Sequence, residues 1–457
     1  MANNQSDESR VIAEDIKTLH GMGYAQELAR SMKSFSNFAI SFSIICILSG
    51  GINSLGQAIS GAGGAAIGIG WPIGCLISFV FALGLAQISS AYPTAGGLYH
   101  WGSILGNVGV GWVTGWLNLI GLVTVLGAIN IGTYSFFIGA FGSSLGITDT
   151  FATKMIFMVI ITASQAMFNH LGIRLTTKLT DLSGYLIIGG AALMFVLFMA
   201  YAKAWDFSRL WTFTNYSGLP EGGAVWPKTE SLMFVFLLGL LLPIYTITGY
   251  DASAHTSEET VDASRSVPKG MVSSVIWSAI FGWLMLCAFV LAIPDMGEGA
   301  KQGWNIFFWT SDQVLPQTWK MILYVVVVVS QYLCGLATVT SASTHDFCVL
   351  PRRWIAWLCG IAHRQPEIPD TGCRDLGVGC VGCALYQLCR VVRGDCFGDG
   401  HFPILVVYGT DLLRFTGPRQ NLDQDGPVGY GAEIQNRCGT LRRRHDLDLS
   451  HWCATAR

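Results

Sequence analysis

Long apolar stretches separated by short polar ones occupy most of the chain. Eight of them reach or approach the roughly 20 residues that a bilayer-spanning helix needs: 36–57, 66–89, 110–141, 153–173, 182–202, 231–252, 270–293 and 319–343. The third is long enough to tilt strongly or to run into a loop. Residues 1–35 are polar and lack the apolar core of a cleavable signal peptide. They predict a cytoplasmic N-terminal segment ahead of a transmembrane domain over 36–343. After Ser343 no uninterrupted apolar run reaches spanning length.

Two stretches carry helix breakers. Segment one reads FSIICILSGGINSLGQ, with Gly50 and Gly51 at its middle, and segment six reads PIYTITGYDAS, with Pro243 and Gly249. Glycine inside a helix costs about 1 kcal/mol relative to alanine. Proline removes a backbone donor and clashes with the preceding turn. Broken backbone at membrane depth survives only where it is packed in protein or lines a cavity. Close packing of two helices accounts for one such interruption. Two of them, in segments one and six, imply a repeat of five segments, and paired interruptions of this kind point to a transporter binding site.

Composition supports the membrane reading. The 457 residues are 51% hydrophobic and only 12% charged, against about 25% charged for a soluble domain. A net charge of −2 gives no reason to expect a nucleic-acid partner. With the N-terminus inside, the cytoplasmic side holds Arg10, Lys17, Arg30, Lys33, Arg174, Lys178, Arg265 and Lys269. The other side holds Lys154, Lys203, Arg209, Lys228, Lys301 and Lys320. The positive-inside bias is therefore small, and it favours a cytoplasmic N-terminus; a multi-pass protein of the cell membrane is expected.

Segment six ends in a polar cluster. Asp251, His255 and Glu259 stand at i, i+4 and i+8 and would form one stripe on a helix. One reading makes them a proton relay or gate, because ionisable groups at membrane depth mark pathways. The other makes Asp251 a helix cap, with Glu258 and Glu259 at the water interface paired to Arg265, Lys269 or a loop. A metal is not expected: the His-x-x-Glu-Glu run lacks the second histidine one turn away that a zinc helix needs. No cofactor is expected either.

Three stretches then resemble one family. SAYPTAGGLYHW (Ser90 to Trp101), GYDASAHTSEETVDASRSVPKGM from Gly249, and SMKSFSNFAISFSIICILSGGINSLG from Ser31 are similar, in order, to motifs of the amino acid–polyamine–organocation permeases. The subgroup resembled is that of permeases for amino acids, γ-aminobutyrate and choline, and the likeness covers roughly residues 25 to 343. It implies an all-α polytopic membrane protein of inverted five-helix repeats, with helices 1 and 6 broken. Gln87 stands where the family pattern has a glutamate; an amide hydrogen-bonds but does not titrate. On this reading the substrate carboxylate would meet backbone N–H groups at Ser49, Gly50, Gly51 and Ile52. The ammonium would meet carbonyls near Thr248, Gly249 and Tyr250. The resemblance has helices three and eight closing the pocket, which adds Asn118 or Asn130 and Ser341 as candidates. For each asparagine the alternative is an ordinary interhelical hydrogen bond.

Composition changes abruptly after Ser343. Residues 1–343 hold 4 cysteines, 5 arginines and 9 lysines, whereas residues 344–457 hold 9 cysteines, 13 arginines and no lysine or methionine. One reading is a metal-binding domain using Cys373, Cys380, Cys383 and Cys389, although Cys380-Val-Gly-Cys383 is a single knuckle where structural zinc normally takes two. The other is a one-base frame shift. Read one base later with permitted codons, the chain from Thr344 yields the family-like RMTFAFFRDGGLP, and apolar or permease-like stretches follow in the same frame. The third base of each codon is free in this exercise and the first base of each new codon is fixed. Resequencing codon 344 decides between the readings. As written, 344–457 is expected to be an aberrant, poorly ordered tail that leaves the second repeat incomplete, and such a chain is expected not to transport.

The function expected is a secondary transporter of an amino acid or related amine such as γ-aminobutyrate, with proton coupling as a candidate and the lipid bilayer as its setting. A non-transporting truncated product is the alternative. A membrane-embedded enzyme ranks below both, since convergent acids and ligands are scarce beyond Asp251. No Gly-rich nucleotide-binding signature appears.

Overall fold

The computed structural model describes residues 2–22, 30–171, 173–219 and 225–349. The tail expectation therefore meets description only over 344–349, which continue a helix, and 350–457 lie outside the described residues. The chain divides into two units, one comprising 1–29 and 387–457 and the other 30–386. In the first, Ala2–Gly21 form a helix that the sequence reading did not assign. Its hydrophilic surface carries a same-face Arg10–Glu14 pair at i, i+4.

The second unit holds the transmembrane bundle, and among the described residues its regular structure is helical apart from one isolated bridge between Met32 and Thr260. Among the described residues seven helices are long and apolar enough to cross a membrane: span 1 Ser34–Asn53, span 2 Ala65–Ala91, span 3 Val108–Leu145, span 4 Phe151–His170, span 5 Leu175–Tyr201, span 7 Ala263–Ala292 and span 8 Gln317–Ser343. Span 6, Leu232–Thr246, is shorter because it breaks. All eight apolar segments read from the sequence are thus helices.

Local chemistry sets several starts. Asn107 caps span 3 by accepting the Val110 N–H at 3.0 Å. Thr150 and Thr153 form a reciprocal capping box at the head of span 4. Ser231 accepts the Phe234 N–H at span 6. Segments five and seven begin earlier than the expected 182 and 270, at about 173 and 263. Hydropathy marks only the portion that suits lipid, and both helices run on through polar turns beyond it. Pro268 sits inside span 7, where the expectation had placed a loop.

The packing has an order that a pseudo-two-fold axis explains. Span 2 packs on span 7, span 3 on span 8, and the halves of span 1 on those of span 6. These are the equivalent members of two five-helix repeats, and equivalent elements meet one another across such an axis. Span 1 is the centre: 89% of its apolar window is buried, against 28% for span 4 at the edge. Span 1 packs on spans 5, 7 and 8 as well. Leu76, Val80 and Phe81 on span 2 and Ile156, Val159 and Ile160 on span 4 are exposed, as lipid-facing surfaces are.

An aromatic cluster joins spans 5 and 7 to the segment ahead of span 8. Phe307, on a short helix Ile306–Val314 ahead of span 8, stacks on Phe289 of span 7 at 5.6 Å between ring centroids. Phe289 in turn meets Phe198 of span 5 edge-on at 5.2 Å. Such pairs prefer these offset and edge geometries.

Candidate functional site

Span 1 breaks at Cys46, which takes φ 28° and ψ 80°, a strained conformation for a residue with a side chain. This corrects the expectation that Gly50 and Gly51 interrupt the helix. Both lie inside the half-helix Ile47–Asn53. Ser49 and Gly50 donate their N–H groups to the Cys46 carbonyl at 2.8 and 3.0 Å. The groups that a break leaves without an intrahelical acceptor are therefore those of Ile47 and Leu48. The glycines serve packing instead. A Cβ on Gly50 would lie 2.9 Å from Thr246 Oγ1 and 3.0 Å from Thr246 Cα, so span 1 touches span 6 backbone there. At Gly51 a Cβ would meet only Leu286 and Met285, at an ordinary 3.6 Å.

Span 6 breaks where expected. The helix ends at Thr246, Gly249 takes φ 90°, and a short turn of helix resumes at Ala252–His255. A Cβ on Gly249 would sit 2.4 Å from Ile44 Cγ2. Conformation and contact both demand glycine at this position. Of the carbonyls named for an ammonium, that of Gly249 accepts the Ala252 N–H and that of Tyr250 accepts Ser41 Oγ at 2.7 Å.

A small hollow lies where the two breaks face span 3. Part of its lining is polar and uncharged: Ser49, Gly50, Tyr245, Thr246 and Thr248. The rest is branched and aliphatic: Ile44 and Ile45 from span 1, Val125 and Ile129 from span 3. Its interior volume of about 10 Å³ holds about one water. Of the expected substrate residues, Ser49, Gly50 and Thr248 border this hollow. Gly51, Ile52, Gly249, Tyr250, Asn118 and Ser341 do not. Ser341 is fully buried on span 8 with no hydrogen-bond partner for its hydroxyl. Asn130 pairs with Thr162 and, reciprocally, with Gln165 at 3.0 Å, which is the interhelical bond given as its alternative. Sequence reasoning missed Cys46, Val125, Ile129, Tyr245 and Thr246. None is a helix breaker or charged at neutral pH, and only folding brings them together.

Below the hollow the polar cluster takes a definite form. Asp251 accepts the Asn118 amide at 3.1 Å, and its Oδ2 lies 3.4 Å from His255 Nε2. It makes no side-chain cap bond. Asn118 thus reaches across from span 3 to the Asp251 carboxylate. Glu259 is not on the same helix face, because the helix ends at His255 and Ser257–Glu259 form a 3₁₀ turn. Glu258 and Glu259 are also not at a water interface: they are 7% and 8% exposed. Asn37 and Ser41 of span 1 tie this region down. Asn37 Nδ2 donates to the Ser253 carbonyl and to the hydroxyls of Thr256 and Thr260. Arg30 donates to the carbonyls of Ser257 and Thr260.

The loop after span 2 explains its own motif. Gly97, at φ 46°, lies where a Cβ would come within 3.0 Å of the His255 ring. Trp101 packs with Ala254, Ala263, Val267 and Met271 and donates its indole N–H to the Tyr92 carbonyl. The two motifs read separately in the sequence are one packed unit. Gln87 is exposed on span 2. Among the described residues no three or more His, Cys, Asp or Glu side chains gather as metal ligands do.

Glu259, in the loop between spans 6 and 7, has a pH consequence. Burial first, and the neighbouring Glu258 second, push its carboxyl up to about 7. A carboxyl with a raised folded-state pKa holds its proton more tightly when folded. Its contribution to stability is full below the unfolded value and is lost as pH rises through about 7. Glu259→Gln is expected to unfold with the wild type at pH 4 and to be more stable by roughly 3 kcal/mol at pH 8. Thermal unfolding of the purified protein across that range checks it, and parallel curves for the two proteins would refute it.

An eight-span helical bundle with two facing broken helices and a hollow at their crossing is a multi-pass membrane protein of the inverted-repeat transporter fold. A solved Na+-coupled sialic acid symporter superposes with a TM-score of 0.50 at 13% identity, covering 85% of this chain and 80% of its own, which supports the fold alone. The sequence profile described as amino acid permease matches residues 33–345. The chain belongs to the amino acid permease family. It is 30% identical to the amino-acid permease BAT1 of Arabidopsis thaliana over 71% of this chain and 66% of that protein. It is 27% identical to the GABA-specific permease of Saccharomyces cerevisiae over 72% of this chain and 58% of that protein. The chain therefore spans about two thirds or less of these relatives' length. The profile match stops at 345, beside the change of composition after Ser343.

Proposed function

We propose that this fold is a secondary transporter that carries an amino acid or a related amine such as γ-aminobutyrate across the cell membrane, and not an enzyme. The observation that carries the reading is the hollow at the crossing of two broken helices, bordered by Ser49, Gly50 and Thr248. Uncharged hydroxyl and backbone groups there face a small solute, and Gly249 gives the turn that exposes them. Asp251, held by Asn118 and paired with His255, acts as the coupling or gating group at the end of the bundle where span 1 begins, with protons as the candidate ion. Glu259 supports that gate from the following loop. The N-terminus is cytoplasmic, in keeping with the basic residues on that side. The family relationship and the relatives' names support an amine-bearing substrate.

Vesicles reconstituted with protein whose reading frame is restored at codon 344 are expected to accumulate labelled alanine or γ-aminobutyrate under an imposed proton gradient. Uptake equal to protein-free vesicles, together with no ligand binding by the purified protein, would refute the proposal. Binding without uptake by the 457-residue chain would favour the second reading, a non-transporting product, which the change of composition after Ser343 motivates.

A further inference from the structure

We infer that the hollow takes a net-neutral zwitterion with a short side chain, and that Ile129, with Val125 one turn before it on span 3, sets the upper limit on that side chain's length. This rests on the reading of the hollow as the substrate site. Two observations carry it. First, none of the residues bordering the hollow bears a formal charge. The carboxylate that follows the span 6 break, Asp251, is not among them and is engaged by Asn118 and His255. A solute with net charge would enter a low-dielectric space without a counter-ion, which is costly. A zwitterion brings both charges with it, and the hydroxyls and backbone dipoles of Ser49, Thr246 and Thr248 suit a dipole. A dibasic or acidic amino acid, or a quaternary amine, has no such match.

Second, the aliphatic part of the lining that span 3 supplies is stiff. Val125 and Ile129 stand at i and i+4 on one face of span 3 and both border the hollow. β-Branched side chains in a helix keep essentially one χ1 rotamer, so this wall does not swing aside as Leu or Met would. Ile129 is only 3% exposed and is locked into the central core. With room for about one water at present, the site must widen to admit any solute. The aliphatic wall is where each added methylene is resisted.

The test is thermal stabilisation of the purified 457-residue protein, with apparent affinities from ligand titrations of alanine, γ-aminobutyrate, leucine, phenylalanine, arginine, glutamate and choline. Alanine and γ-aminobutyrate are expected to bind best, leucine and phenylalanine at least about tenfold more weakly, and the three net-charged ligands more weakly still. Ile129→Ala is expected to narrow the alanine-to-leucine gap by about tenfold or more. Ile129→Val and Val125→Ala narrow it less and serve if the alanine variant at 129 fails to fold. Charged ligands binding within tenfold of alanine, or an unchanged gap in variants that keep the wild-type unfolding temperature, would overturn this inference alone. Failure of every zwitterion to bind the wild type would overturn the substrate-site reading and this inference with it.

Discussion

Gly50→Ala is expected to abolish ligand binding and to lower the unfolding temperature, whereas Gly51→Ala is expected to stay within about twofold of wild type in affinity. The two residues are adjacent, chemically identical and both inside the same half-helix, so helix propensity predicts the same small change for each. Their surroundings differ. A methyl group at 50 would lie 3.0 Å from the Cα of Thr246, a backbone atom that moves only if span 6 moves. Overpacking of that kind costs about 1–3 kcal/mol. Here the displacement also falls on the hollow that Gly50 and Thr246 both border. A methyl group at 51 meets the ends of Leu286 and Met285 side chains at 3.6 Å, ordinary contact distance. Ligand-induced thermal shifts of the two variants side by side check the prediction. Equal effects would mean that the glycine pair acts through flexibility of span 1 and not through its contact with span 6.

The second large effect is expected at Asp251. Asp251→Ala destabilises by roughly 2 kcal/mol, because it leaves Asn118 and His255 without the carboxylate they face. Asp251→Asn keeps the shape, retains ligand binding, since Asp251 does not border the hollow, and removes the response of uptake to a proton gradient. A thermodynamic cycle with Asn118→Ala is expected to show a coupling of about 1 kcal/mol, as residues sharing a hydrogen bond do. Additive effects of the two substitutions would show that the 3.1 Å contact carries no energy. Proton-driven uptake unchanged in Asp251→Asn would remove Asp251 from the coupling role and leave it a structural anchor.

The contrast between these residues shows how much of the site could be read from the chain. Gly249 was legible because a glycine after a proline-containing apolar run has few uses, and its φ of 90° accounts for it. Asp251 and His255 were legible as a pair because i, i+4 spacing survives even in one turn of helix. Glu259 was misplaced because periodicity assumes that the helix continues, and it stops at His255. Gly50 was found for the wrong reason: the sequence pair suggested a break, but the break is at Cys46, a residue with no breaking tendency that the surrounding bundle holds at φ 28°. Asn118 and Asn130 looked alike on one segment, and only their partners, a carboxylate and an amide, separate them.

Sequence by itself determined that this is a helical membrane protein, how many described spans it has and which two are interrupted. The reason is energetic: the bilayer penalises each exposed polar group heavily, so hydropathy and backbone breakers leave few alternatives. Tertiary structure alone decided where span 1 breaks, which side chains form the hollow and which carboxylate has partners. Those outcomes depend on distances between segments far apart in the chain, such as span 1 against span 6 at Gly50 and Thr246, and local pattern carries no record of them.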